Sequence, residues 1–169
     1  EILYAKGSNV YYDEKMEAGA VGIRPLQRGD DRKLLAEALS VASRADVIVA
    51  AVGECSDMSG ESASRTDIRI PDAQSDLLKA LVKTGKPVVL LLFTGRPLDL
   101  TWESANVPAI LNVWFGGSET GDAVADVLFG KVSPSGKLTT TFPRSVGQMP
   151  LYYSQMATGR PDGDPNTFN

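Results

Sequence analysis

Carboxylates are what this sequence has in quantity for chemistry: it carries 21 Asp and Glu residues and no histidine. Any general acid or base must therefore be sought among carboxyl groups. Ser-His-Asp and Cys-His triads, histidine zinc sites and the two-histidine metalloprotease helix all need the absent residue type. One segment gathers the candidates: over residues 53–70, Glu54, Asp57, Glu61 and Asp67 are interspersed with Arg65 and Arg69. A glutamate serves as a general acid only if burial or a neighbouring anion raises its carboxyl above the free value near ~4.3. Glu61, between Gly60 and Ser62, lies on a stretch flexible enough to carry it into a neighbouring cleft. Glu54 directly follows an apolar run and is better placed to brace the loop through Arg65. The alternative is that all of these are solvated charges on a surface loop.

Other stretches invite chemistry less strongly. Gly116, Gly117 and Gly121 lie between an apolar run and a helical pattern, but they miss the dinucleotide-binding spacing, and Asp122-Ala123 stands where a phosphate cradle needs Lys-Ser/Thr. A tight strand-to-helix turn accounts for them. Arg96, in Thr94-Gly-Arg-Pro97, could pair with a loop carboxylate or contact a partner domain. Trp102, Trp114 and Phe115 could be sugar platforms, although aromatics that end buried strands usually belong to the core. Cys55, the single cysteine, reads as an inert, partly buried thiol; alone it excludes an internal disulfide and any multi-cysteine metal site.

The elements that must position these groups follow from hydrophobic period. Apolar runs over 47–52, 88–93 and 109–115 are continuous rather than alternating, as strands of a parallel sheet covered on both faces require. Helical patterns over 31–45, 72–84 and about 119–129 fall before, between and after them. Pro71 precedes the second, Gly85 and Gly130 stop the second and third, and Ser118 is a candidate N-cap for the third. Residues 2–5 and 137–142 read as flanking strands. The alternation predicts repeated βα units, and the long loop leaves the carboxyl end of the first buried run, the side on which open α/β sheets bind ligands. A length of 169 residues with 43% hydrophobic and 22% charged residues fits one globular domain. A net charge of −4 argues against nucleic acid as a partner. The longest apolar run, residues 88–93, is far too short for a membrane span. Both ends look cut from a longer chain, so the missing leader says little about compartment.

Several stretches then resemble, in order, the second domain of family-3 glycoside hydrolases. They are Gly53-Glu54, Gly60-Glu61-Ser-Ala-Ser-Arg65-Thr-Asp-Ile-Arg-Ile-Pro71, Gly85-Lys-Pro87 and Gly95-Arg-Pro97. Further on come Trp114-Phe-Gly-Gly-Ser-Glu-Thr-Gly121, Pro134-Ser-Gly-Lys-Leu138, Phe142-Pro-Arg-Ser-Val-Gly-Gln-Met-Pro150 and Thr158-Gly-Arg-Pro161. Ser133 and Thr139 depart from the family's usual Asn and Pro. The likeness is strongest to the family's bacterial periplasmic β-glucosidases. It implies a three-layer α/β/α sandwich over 1–144, with a mostly parallel sheet of about six strands, and a surface segment over 145–169 leading towards a further domain. It also implies an N-terminal barrel domain of the same polypeptide, absent from this chain, that supplies an aspartate nucleophile. Glu61 then takes the family's acid/base position, with Glu54 and Arg65 supporting its loop. The implied protein is a retaining β-glucosidase acting on terminal β-linked glucose, periplasmic or secreted, without metal or cofactor. Alone, the domain is expected to be inactive. Two alternatives remain beside it: a non-catalytic carbohydrate-binding or scaffold domain, and a flavodoxin-like sensor of phosphate or flavin, against which the glycine spacings argue.

Overall fold

The computed structural model describes residues 1–20, 27–154 and 156. They form α1 (Glu14–Ala20), α2 (Asp31–Ser43), β1 (Ile48–Gly53), α3 (Asp72–Val82), β2 (Val88–Phe93), α4 (Thr101–Asn106), β3 (Ala109–Asn112) and α5 (Thr120–Leu128), with short 3-10 turns at Ser56–Met58 and Val146–Gln148. The strands lie in the order β1-β2-β3 and are all parallel, with Ile48 opposite Val88 and Val89 opposite Ala109. Parallel neighbours need a crossover rather than a tight turn; α3 supplies the first and α4 the second.

Two periods meet in the core. Ile48, Ala50, Val52, Val88, Leu90 and Leu92 alternate along their strands and share a buried cluster with Ala38 and Ala42 of α2 and Leu77, Leu78 and Leu81 of α3. Asp30 caps α2 by accepting a hydrogen bond from the Lys33 amide at 2.9 Å. Gly85 and Gly130 take positive φ where α3 and α5 end, as their sequence positions suggest.

Several expectations need correction. The continuous apolar run of β1 predicts cover on both faces, yet Val49 is 49% exposed and Ala51 is also exposed, because among the described residues helices α2 and α3 pack on one face alone. The apolar side of α5 is only half-buried, and none of its residues is fully so. The described residues thus show an α/β fold with a three-stranded parallel sheet rather than about six strands in three layers. Residues 2–5 and 137–142 join no ladder; Ile2, Tyr4 and Leu138 are exposed, and a strand exists only where a neighbour takes its backbone hydrogen bonds. Glu119, not Ser118, is the residue before α5, and no side chain caps that end; Thr120 Oγ1 instead donates to the Gly117 carbonyl at 2.6 Å. Helices α1 and α4 lack the long apolar stripe that would reveal them. The terminal motif at 158–161 and the tail beyond it lie outside the described residues.

At the carboxyl end of β1 the backbone geometry is demanding. Gly53 has φ of +139°, and a Cβ there would lie 1.9 Å from the Phe93 carbonyl oxygen. The Gln74 side-chain amide accepts from the Gly53 N–H at 2.8 Å and donates to its carbonyl at 2.9 Å, acting as a third strand would. Gly53→Ala is expected to lose at least about 1–3 kcal/mol of stability from backbone strain alone, measured by urea unfolding. A second expectation concerns Glu103 of α4, which is 5% exposed and whose carboxyl burial pushes above its ordinary value. A raised folded-state value means the folded protein binds the proton more tightly than the unfolded chain. The associated stability is complete below the unfolded value and lost as pH rises through the folded one. Glu103→Gln should therefore raise the Tm at neutral pH, with the gain vanishing below about pH 4.

Candidate active site

Because the strands are parallel, their carboxyl ends share one edge, and three loops leave from it: residues 54–70 after β1, 94–100 after β2 and 113–119 after β3. The first and longest carries the acidic candidates. Its root is Glu54, whose backbone N–H continues the ladder by donating to the Phe93 carbonyl at 2.7 Å. The Glu54 side chain has no exposed surface and lies between two guanidinium groups: Arg65 Nη1 donates to Oε1 at 2.8 Å, and Arg96 Nε lies 3.0 Å from the same oxygen. Oε2 accepts from the Thr94 hydroxyl at 2.9 Å and the Gly95 amide at 3.2 Å. An ionised carboxylate can be buried only with such compensation.

The same cations hold the rest of the loop. Arg96 Nη2 donates to the carbonyls of Met58 and Ala63, and Arg65 Nη2 donates to the Arg69 carbonyl at 3.0 Å. The Asp99 amide meets the Ile68 carbonyl at 3.0 Å, and Ile68 and Ile70 drop into the core. Between these anchors the chain turns at 60–63, where the Ala63 N–H reaches the Gly60 carbonyl at 3.3 Å. Gly60 and Ser62 both have positive φ, +119° and +58°, and between them Glu61 stands exposed. No hydrogen bond or ion pair joins its carboxylate to the described residues.

The remaining charges of the loop are occupied on the surface. Arg69 Nε and Nη2 bind Asp67 at 2.5–3.1 Å, and these hydrogen bonds hold the Asp67 carboxyl below its usual value. Cys55 is half-buried, burial raises its thiol above the ordinary value, and its amide faces the Met58 sulfur at 3.1 Å. That environment suits an inert thiol rather than a nucleophile. Among the described residues no group of three or more His, Cys, Asp or Glu could hold a metal ion, and no helix is long and apolar enough to cross a membrane.

One anchored loop thus presents a single unpartnered carboxyl group at the carboxyl edge of a parallel sheet, the side on which open α/β sheets bind ligands. The family model for the glycosyl hydrolase family 3 C-terminal domain matches residues 5–168. The chain belongs to that family. A periplasmic β-glucosidase from Salmonella typhimurium is 50% identical over 167 residues, covering 95% of this chain and 21% of the relative. A β-xylosidase from Formosa agariphila is 46% identical over 126 residues, 75% of this chain and 17% of the relative. Among solved structures, a β-glucosidase from Listeria innocua in complex with gluconolactone matches with a TM-score of 0.71 at 42% identity, over 75% of this chain and 18% of that one. A β-glucosidase from Erythrobacter marinus matches with a TM-score of 0.76 at 35% identity, over 92% and 22%. The family 3 domain described here therefore spans between 17% and 22% of the length of these relatives.

Of the residues singled out from sequence, the structure brings Glu54, Arg65 and Arg96 together and leaves Glu61 apart from them, at the tip of the loop they anchor. Thr94, named from sequence only as part of Thr94-Gly-Arg-Pro97, and Gln74 had no role assigned to them there. Both carried a signal: Thr94 is a polar residue directly after a buried strand, and Gln74 interrupts the apolar stripe shared by Leu77, Leu78 and Leu81 of this family 3 domain. Removing the central carboxylate, by Glu54→Ala, would leave two guanidinium groups confronting each other. The expected loss is about 3–5 kcal/mol in chemical denaturation, little restored by added salt because the site is shielded from solvent.

Proposed function

We propose that this chain is the acid/base-bearing domain of a retaining β-glucosidase and that Glu61 is the proton donor. The observation that carries this reading is the exposed, unpartnered carboxyl of Glu61 on an otherwise anchored loop. The other acidic groups discussed on this loop are engaged, Asp67 with Arg69 on the surface and Glu54 with Arg65 in the interior. Retaining hydrolysis needs two carboxyl groups about 5–5.5 Å apart, one attacking the anomeric carbon and one protonating the departing oxygen. Glu61 fills the second role; the nucleophile, an aspartate, comes from a barrel domain of the same polypeptide packed against the carboxyl edge of this sheet. Relatives of which this chain covers about a fifth support that division of labour. After the glycosyl-enzyme forms, the Glu61 carboxylate takes the proton from the attacking water.

Glu54, Arg65 and Arg96 are, in this reading, positioning residues that fix the root of the acid's loop. The substrate class is the terminal β-linked glucoside, as the names of most of the relatives suggest, and the location is the periplasm or the secreted fraction, after the Salmonella relative. In the full polypeptide a second layer packs on the face that Val49 and Ala51 leave exposed, giving the three-layer sandwich.

The test is Glu61→Ala in the full-length polypeptide. Hydrolysis of glucosides with poor leaving groups should fall about 100- to 10,000-fold, and activated aryl glucosides should lose far less. Azide should restore turnover and yield a β-glycosyl azide. Equal losses on both substrate types, with no azide product, would assign the acid to another residue and leave this domain as a scaffold.

A further inference from the structure

We propose that Phe115 is the platform for the leaving group, the part of the substrate attached to the oxygen that Glu61 protonates; this rests on the assignment of Glu61 as the acid. Phe115 is 45% exposed and follows β3, the edge strand of the sheet, none of whose residues is fully buried. Its exposure is imposed by the backbone. Val113 still bonds to the sheet, its amide meeting the Leu92 carbonyl at 2.8 Å, but Trp114 takes φ of +57°. A bulky residue rarely adopts the left-handed region, and such strain persists where the surrounding structure enforces it, typically at functional sites. Here the Trp114 indole is held against Phe142, centroids 5.9 Å apart and tilted by 41°. With the indole anchored, the turn leaves Phe115 at the carboxyl edge instead of in the core.

The ring then meets the acid's loop. Gly95 is wedged between the two: a Cβ at that position would fall 2.2 Å from Ser59 Oγ and 2.8 Å from Phe115 Cε2. Ser59 leads into the 60–63 turn, so Phe115 and the residue two positions before Glu61 flank one side-chain-free residue. A general acid must stand within about 2.6–3.2 Å of the oxygen it protonates. An apolar ring beside the residue that leads into the acid's turn, on the domain that lends the acid, is placed to face the departing group rather than the sugar ring held by the nucleophile's domain. Aromatic faces suit such sites because they bury apolar surface at little entropic cost.

The experiment uses the full-length polypeptide and compares Phe115→Ala and Phe115→Trp with the parent on cellobiose, p-nitrophenyl β-glucoside and methyl β-glucoside, with gluconolactone as a probe of the sugar site. Phe115→Ala should raise KM about 10-fold for the two substrates with large leaving groups. It should change methyl β-glucoside and the gluconolactone inhibition constant less than about twofold. Phe115→Trp should recover most of the loss. A uniform change across all three glucosides, or a lowered Tm with no dependence on the leaving group, would overturn the platform and make Phe115 a packing residue against the neighbouring domain. So would an unchanged KM throughout. Azide rescue of Glu61→Ala is measured in parallel. A rescued Glu61→Ala with a flat Phe115→Ala profile overturns the platform alone, whereas an unrescued one overturns the acid assignment and the platform with it.

Discussion

The buried carboxylate of Glu54 is the constraint around which the functional edge is organised. Transferring such an ion from water costs several kcal/mol even after relaxation, and the compensating groups come from two different loops of the edge. Arg65 belongs to the long loop, while Thr94, Gly95 and Arg96 follow β2. None of them can move far without leaving a charge uncompensated in a dry environment. The guanidinium groups then spend their remaining N–H donors on loop carbonyls, so one electrostatic requirement orders about a dozen residues of irregular chain. The network fixes the loop at its root and near the turn while its tip, Glu61, is free of partners.

Close backbone approach is the second condition. The loop can start where it does because Gly53 accepts a conformation and a contact that no side chain tolerates, with Gln74 filling the hydrogen bonds a missing strand would take. The loop and the 113–119 segment can meet over β2 because Gly95 has no side chain to separate them. Both glycines sit at carboxyl ends of parallel strands, where a sheet's topology gathers loops that are far apart in sequence. Rigid strands below and small residues at the rim bring Phe115 and Ser59, two positions before Glu61, together around Gly95.

The local elements were largely legible. Strands β1, β2 and β3 and helices α2, α3 and α5 fall where continuous apolar runs and 3.6-residue stripes put them, α3 starts after Pro71, and α3 and α5 stop at Gly85 and Gly130. The short helices were not, because six or seven residues cannot display a repeated stripe. Flanking strands at 2–5 and 137–142 were expected from apolar composition, but a ladder is a relation between two segments, and composition describes only one.

The long acidic loop, its exit from a buried strand and the opposite charges within it are properties of residue order, since they need only local polarity and the absence of histidine to be meaningful. Which carboxylate is buried and which is free is a different kind of fact. Glu54 and Glu61 are the same residue type seven positions apart, and what separates them is that Thr94, Gly95 and Arg96, some forty residues later, fold back onto one and not the other. Burial and charge compensation are sums over neighbours in space, so a linear pattern can nominate both residues, and folding alone buries one between two guanidinium groups and leaves the other exposed and without a partner among the described residues.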